Sequence, residues 1–214
     1  MAENANPSLN PANTGSLTGL MRGVLDKFLQ SVDDCLPAQV ISYDRATNRA
    51  TIQPLIMVLT TDDQKVSRAQ IRSVPVFQIG AGGHILSFNL KAGDLGWLKA
   101  TDRDISLFMQ SLKKSAPNTL RKHSFEDAVF FPDPVRNYVI AGEDQENCVL
   151  QNMDGSVKIS LGDDSIKIKA TNLIFEADNV QITSSSFTHN SVNIGYNHRH
   201  DGVQSGSSNT GEPI

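Results

Sequence analysis

The chain has 214 residues, a formal net charge of −4 at pH 7 and 6% aromatic residues. Its length allows one or two domains. The acidic balance argues against nucleic acid as a main partner, because phosphate binding needs a basic surface.

Targeting and redox signals are few. Met1 to Pro11 carry no basic region followed by an apolar core, so we expect no secretory signal. No run of 18 apolar residues occurs, so we expect no transmembrane helix. Cys35 and Cys148 make no disulfide framework and fit assembly in a reducing cytoplasm, although pairing between the two stays open.

The first segment, residues 1–34, is predicted to be a flexible arm followed by an amphipathic helix from about Ser16 to Val32. Thr14 and Ser16 are candidate N-caps. Apolar residues at i, i+3, i+4 and i+7 spacing form one continuous stripe: Leu17, Leu20, Met21, Val24, Leu25, Phe28, Leu29 and Val32. We expect this stripe to pack on the chain's own domain. The alternative is docking into a partner protein.

Longer strands follow in residues 35–147. The pattern predicts strands at 38–43, 49–59, 71–79, 95–99 and 128–131, with a short helix near 105–112. Pro54 suggests a bulge or an edge position. Gly80 to His84 read as a turn between strands, because they lack phosphate-loop spacing and a following helix. Five strands with a helix before the last predict a small Greek-key barrel of the OB type. Residues 133–147 read as a linker.

The last segment, residues 148–214, contains very short apolar–polar alternations. After Cys148–Gln151 they begin at Val157, Ile166, Leu173, Val180, Phe187 and Val192. Such strands cannot build a core alone, because a single ribbon leaves two open edges and one apolar face in water. Wrapping identical copies around a three-fold axis pairs the open edges and covers the apolar face. We therefore expect an intertwined homotrimeric β-helix or prism. A single-chain β-solenoid, or one face of a β-sandwich, is the alternative.

A histidine pair closes the array. If residues 197–201 are extended, His198 and His200 point to one face. Three chains meeting on an axis then supply six imidazoles, an octahedral shell for Fe(II), Ni(II), Co(II) or Zn(II). Such a closed shell is structural rather than catalytic. Otherwise the pair belongs to a solvated tail.

The barrel, the short-strand prism, His198-Arg-His200-Asp-Gly-Val203 and Asn209-Thr-Gly-Glu-Pro213 together resemble the membrane-puncturing central spike proteins of contractile-tailed bacteriophages. The resemblance implies one structural iron ion per trimer, held at the spike tip by His198 and His200. It implies a virion protein at the tip of the tail baseplate, mounted on a hub or tail tube protein. Sheath contraction would drive it mechanically through the host outer membrane.

No enzymatic motif accompanies these features. G-x-S-x-G is absent, and adjacent acidic pairs such as Asp163 and Asp164 fit solvated loops. We therefore expect no enzyme. Two other functions stay open: a carbohydrate-binding or depolymerising β-helix fibre of the tail, and an OB-type binder of single-stranded nucleic acid, which the acidic charge disfavours.

Overall fold

The computed structural model describes residues 15–60, 62–199 and 206. The chain divides into two compact units, Met1–Lys169 and Ala170–Ile214. None of the described helices is long and apolar enough to cross a membrane.

Helix α1 comprises Leu17–Gln30. Its N-cap is Ser16, whose hydroxyl accepts a hydrogen bond from the backbone N–H of Gly19 at 2.9 Å, as predicted. The other candidate cap, Thr14, lies outside the described residues. The expectation that the apolar stripe packs on its own domain is wrong for this chain alone, since every large apolar side chain of α1 is more than half exposed.

The barrel is a five-stranded antiparallel sheet of β1 Cys35–Asp44, β2 Arg49–Pro54, β5 Ile71–Pro75, β8 Leu95–Thr101 and β9 Ser124–Pro132. The order of the strands across the sheet is β5-β2-β1-β8-β9. Helix α2, Ser106–Ser111, precedes the last strand. Five strands with a helix before the last were predicted, and this part of the fold is confirmed.

Closure of the sheet comes from its two edge strands. Val76 forms an isolated bridge with Phe130, and the backbone N–H of Phe77 donates to the Phe130 carbonyl at 2.8 Å. The barrel is therefore nearly closed, and its interior is apolar. The buried core consists of Ala38, Val40, Ala50, Ile52, Val74, Val76, Leu98, Ala100, Phe125, Ala128 and Phe130.

Two predicted strands are shorter than expected, and each ends at a proline. The segment 49–59 stops at Pro54, and 71–79 stops at Pro75 because proline has no N–H to continue the ladder. Pro54 pairs in register with Ala38 on β1, so it is not a bulge, and the pairing of β2 with β5 ends at Ile52, so Pro54 has no partner on its other side among the described strands. The remaining residues form small hairpins: β3 Val58–Leu59 with β4 Lys65–Val66, and β6 Ile79–Ala81 with β7 His84–Leu86.

A second sheet completes the first unit. It contains β10 Cys148–Gln151, β11 Lys158–Leu161 and β12 Ile166–Lys169, paired antiparallel in that order. Gly155, with φ +70°, allows the tight turn between β10 and β11. The predicted linker 133–147 includes a 3-10 helix, Gly142–Asp144, whose Asp144 is buried. The end of this segment is more than a linker, because Glu143, Asp144 and Asn147 bond side chains on one face of the sheet.

The second unit has less regular structure. Within its described residues, the strands are β13 Thr188–His189 and β14 Val192–Asn193, which pair antiparallel. Strands expected from Leu173 and Val180 do not form in the single chain. Apolar side chains along this unit, such as Ile174, Phe175 and Val180, are exposed. A strand needs a neighbour to satisfy its backbone groups, and one chain offers none here.

Candidate functional site

One face of the β10–β12 sheet is a bare apolar surface. The Cα pairings place Leu150 opposite Ile159 and Ile159 opposite Ile168, so these three residues form one row across the sheet. The next row joins Cys148, Leu161 and Ile166. Residues paired across antiparallel strands share a face. We call these six residues the apolar face, and all six are exposed.

The opposite face of the same sheet is polar, and its middle strand is covered there. Lys158 and Ser160 alternate with the residues of the apolar face, and both are buried. They lie against the 3-10 helix Gly142–Asp144. Lys158 Nζ donates to Asp144 and, at 3.1 Å, to Glu143. The Ser160 hydroxyl donates to Asp144 at 2.7 Å.

Neighbouring side chains complete this polar network. The Asn147 side-chain amide donates to the Ser160 hydroxyl at 2.9 Å, and Lys167 Nζ donates to Glu143 at 2.6 Å. The hydrogen bonds from Lys158 and Ser160 lower the pKa of the Asp144 carboxyl. Asp144 and then Glu143 raise the pKa of Lys158. A buried ammonium is tolerated here because it is both paired and hydrogen-bonded.

The two faces of the β10–β12 sheet differ in how far the chain itself covers them. On the polar face the chain buries Lys158 and Ser160 with its own residues 143–147, while Lys167 and Lys169 of that face stay exposed. The described residues leave the whole apolar face exposed to water. Alternation in Val157–Ser160 and Ile166–Lys169 predicted an apolar face. The role of Lys158 was missed, because the matching Asp144 lies in a segment read as a linker. The sequence signal was a lysine and a serine on one strand face downstream of two adjacent acids.

The predicted metal ligands lie at the end of the second unit. His198 is described, whereas His200 lies outside the described residues. His198 follows a turn in which its backbone N–H donates to the Gly195 carbonyl at 3.0 Å. Asn193 stabilises this turn, since its side-chain oxygen accepts from the Gly195 N–H and its amide donates to Asn197, both at 2.9 Å.

The ring of His198 is also oriented by Gly195. Its Nδ1 lies 2.7 Å from the Gly195 carbonyl oxygen, which can only accept, so the contact is a hydrogen bond in the tautomer that carries the proton on Nδ1. In the neutral ring the lone pair is then on Nε2, the form in which a histidine binds a metal while its other nitrogen donates to a carbonyl. The donor chemistry of His198 therefore fits a metal ligand. Among the described residues, no three His, Cys, Asp or Glu side chains are grouped to hold an ion.

The cysteines are not paired with each other. Cys35 and Cys148 are both free and exposed, which settles the question that the sequence left open.

Comparison with protein families gives two matches. Residues 36–133, the barrel, match the family described as phage protein Gp138 N-terminal domain. Residues 197–213, which include the histidine pair, match the family described as GpV Apex motif. The resemblance to phage baseplate spike proteins is confirmed. Both families consist of phage structural proteins, and they indicate a structural protein of the phage tail. No curated protein matches the chain.

Proposed function

We propose that this baseplate spike protein is a homotrimer that pierces the host outer membrane mechanically when the tail contracts. The observation that carries the proposal is the two-sided β10–β12 sheet. On its polar face the chain itself buries and pairs Lys158, and the six residues of its apolar face are exposed. A face of this kind is stabilised when copies of the chain place it around a common axis.

The second unit supports the same assembly. The sequence predicted strands along this segment, but the described residues of the single chain form only β13 and β14 there. The apolar residues of the same segment are exposed. Neighbouring chains would supply the missing backbone partners, so order in this unit depends on assembly. Three copies suit a prism, because each chain then pairs with two neighbours and no edge remains open.

The tip is proposed to hold one structural metal ion, in keeping with the apex family match. His198 and His200 from three chains would supply six imidazole nitrogens, a complete octahedral shell for Fe(II), Ni(II), Co(II) or Zn(II). The resemblance to the spike proteins favours iron among these metals. A bound ion would tie the three chain ends together where fraying otherwise begins. The barrel would mount the trimer on a hub or tail tube protein of the baseplate.

Native mass spectrometry tests this proposal. We expect a particle of three times the 23.3 kDa chain mass, carrying one transition-metal ion that elemental analysis identifies. The double variant His198→Ala/His200→Ala should keep the trimer and lose the ion. The His189→Ala variant is a matched control, because His189 lies in the same unit outside the predicted pair.

The possible outcomes separate the parts of the proposal. A metal-free trimer would retain the spike and remove the tip site. A monomer would overturn the trimer and leave a single-chain β-solenoid. Release of oligosaccharides from purified host polysaccharide would favour the depolymerising fibre and contradict a purely mechanical spike.

A further inference from the structure

Helix α1 exposes a complete apolar face while its base is firmly attached to the barrel. The Asp33 carboxylate accepts from Arg68 at 3.0 Å and from the Phe125 backbone N–H at 3.1 Å. The Asp33 backbone N–H donates to the His123 carbonyl at 2.9 Å. These bonds fix the point at which the chain leaves the barrel, three residues after the helix ends at Gln30. Among the helix residues, only Gly19 is buried.

The spacing along this face is that of a coiled coil. Leu17, Met21, Val24 and Phe28 are separated by four, three and four residues, the alternation of a and d positions in a heptad repeat. Leu20 and Leu25 flank them at g and e, so the apolar stripe is wider than the seam of a two-helix coil. A wide stripe suits three helices, in which each helix contacts two neighbours.

Charges on the helix are compatible with a partner of identical sequence. Arg22 and Asp26 lie on the opposite face, and the stripe with its flanks carries one charged residue, Lys27. Symmetric pairing brings equivalent positions together, so charges on the seam would repel. With one acid, Asp26, against two bases, Arg22 and Lys27, the helix as a whole is not strongly cationic like helices that bind anionic lipid.

The small size of the apolar face of α1 favours, as its partner, copies of the chain that are already joined elsewhere. A helix of 14 residues is marginal in water, and two heptads bury far less than the ~1,200 Å² at the lower end of stable protein interfaces. A separate protein that contacted only this stripe would bind weakly. Chains joined elsewhere instead present their helices to one another at about millimolar effective concentration.

We propose that α1 of three copies forms a parallel three-helix coiled coil at the barrel end of the assembly. This inference rests on the proposed homotrimer. The coil would join the chains at a second place and cover the apolar face that the isolated chain leaves exposed.

Site-directed cross-linking tests the coil. In full-length protein carrying Cys35→Ser and Cys148→Ser, Val24→Cys places one thiol at a d position, and mild oxidation should give a covalent two-chain species. The control, Asp26→Cys, places its thiol on the opposite face of the same turn. We expect at least about tenfold more cross-linking from Val24→Cys, because the coil holds its d positions together at high local concentration.

Native mass measured on the same samples distinguishes the two proposals. A trimer that cross-links equally or not at all at the two positions overturns the coil and leaves the spike. A monomer overturns both. Binding of α1 to phosphatidylglycerol vesicles without Val24→Cys cross-linking would assign the face to lipid. Protection of that thiol only in assembled baseplates would assign it to another baseplate protein. Either result overturns the coil.

Discussion

Ile159 and Ile168 lie directly opposite each other on neighbouring strands, and both remain exposed while Lys158, the neighbour of Ile159 in sequence, is fully buried. This arrangement reverses the usual one, in which apolar residues are covered and lysine is solvated. The buried lysine is paired with Asp144 of the same chain, whereas the isoleucine face has no cover from the described residues.

Replacing Ile168 with Glu should prevent trimer formation, because three carboxylates would be brought together on an apolar surface without partners. The control is Lys169→Glu, the adjacent exposed position on the other face. Native mass spectrometry of both variants checks this. Trimers of equal abundance would show that the apolar face does not lie in the interface.

The Asp144–Lys158 pair should make the second sheet sensitive to acid. The folded-state pKa of Asp144 is lowered, so its contribution to stability is complete above the ordinary carboxyl range and is lost as the pH falls through and below about 4. The pKa of Lys158 is raised, so its contribution is lost only as the pH rises above about 10.

Thermal unfolding from pH 7 to pH 3, at constant protein concentration, measures this dependence. Asp144→Asn should lower the melting temperature at pH 7, because it leaves a buried ammonium without its partner, and should flatten the acid dependence. Glu146→Gln, at an exposed position nearby, should reproduce the wild-type curve. An unchanged Asp144→Asn curve would mean that the pair adds nothing to stability.

The barrel core predicts a clear contrast between two leucines. Leu98 is 0% exposed, and Leu98→Ala should lower the free energy of unfolding by ~2–5 kcal/mol through lost burial and a residual cavity. Leu120 is 97% exposed, and Leu120→Ala should change it by less than about 0.5 kcal/mol. Chemical denaturation of both variants gives the comparison, and similar losses would contradict the described core.

A glycine in β8 should be irreplaceable. A Cβ added at Gly96 would collide with the carbonyl oxygen of Phe131 and the ring of Phe130, both on β9. Gly96→Ala should therefore separate β8 from β9 and reduce the yield of folded protein. Gly142→Ala meets no atom within 4 Å and is the control. Equal yields and melting temperatures would show that the strands adjust without cost.

Removal of the metal tests whether the ion at the tip is needed to hold the three chains together. If an ion is bound at His198 and His200, chelation should release it and leave the trimer intact, because barrel and sheet contacts remain. Size-exclusion chromatography with elemental analysis follows both quantities. Dissociation of the chains on chelation would show that the metal holds the assembly together.

Much of the fold follows from local patterns in the sequence. The helix Leu17–Gln30, its Ser16 cap, the five barrel strands and the β10–β12 alternation were all predicted, because spacing, capping and turn residues act over a few positions. The histidine pair and the short strands likewise led to the spike family, which the matches over residues 36–133 and 197–213 support.

Other features depend on contacts between distant parts of the chain. Pairing of Asp144 with Lys158 attaches the end of a predicted linker to the middle strand of a sheet. The exposure of every large apolar side chain on α1 shows that the stripe does not pack on its own domain. Alternation determines which residues share a face, but which surface meets that face is decided only when the chain, or several chains, come together. Burial is a property of the assembled surfaces and not of the local sequence.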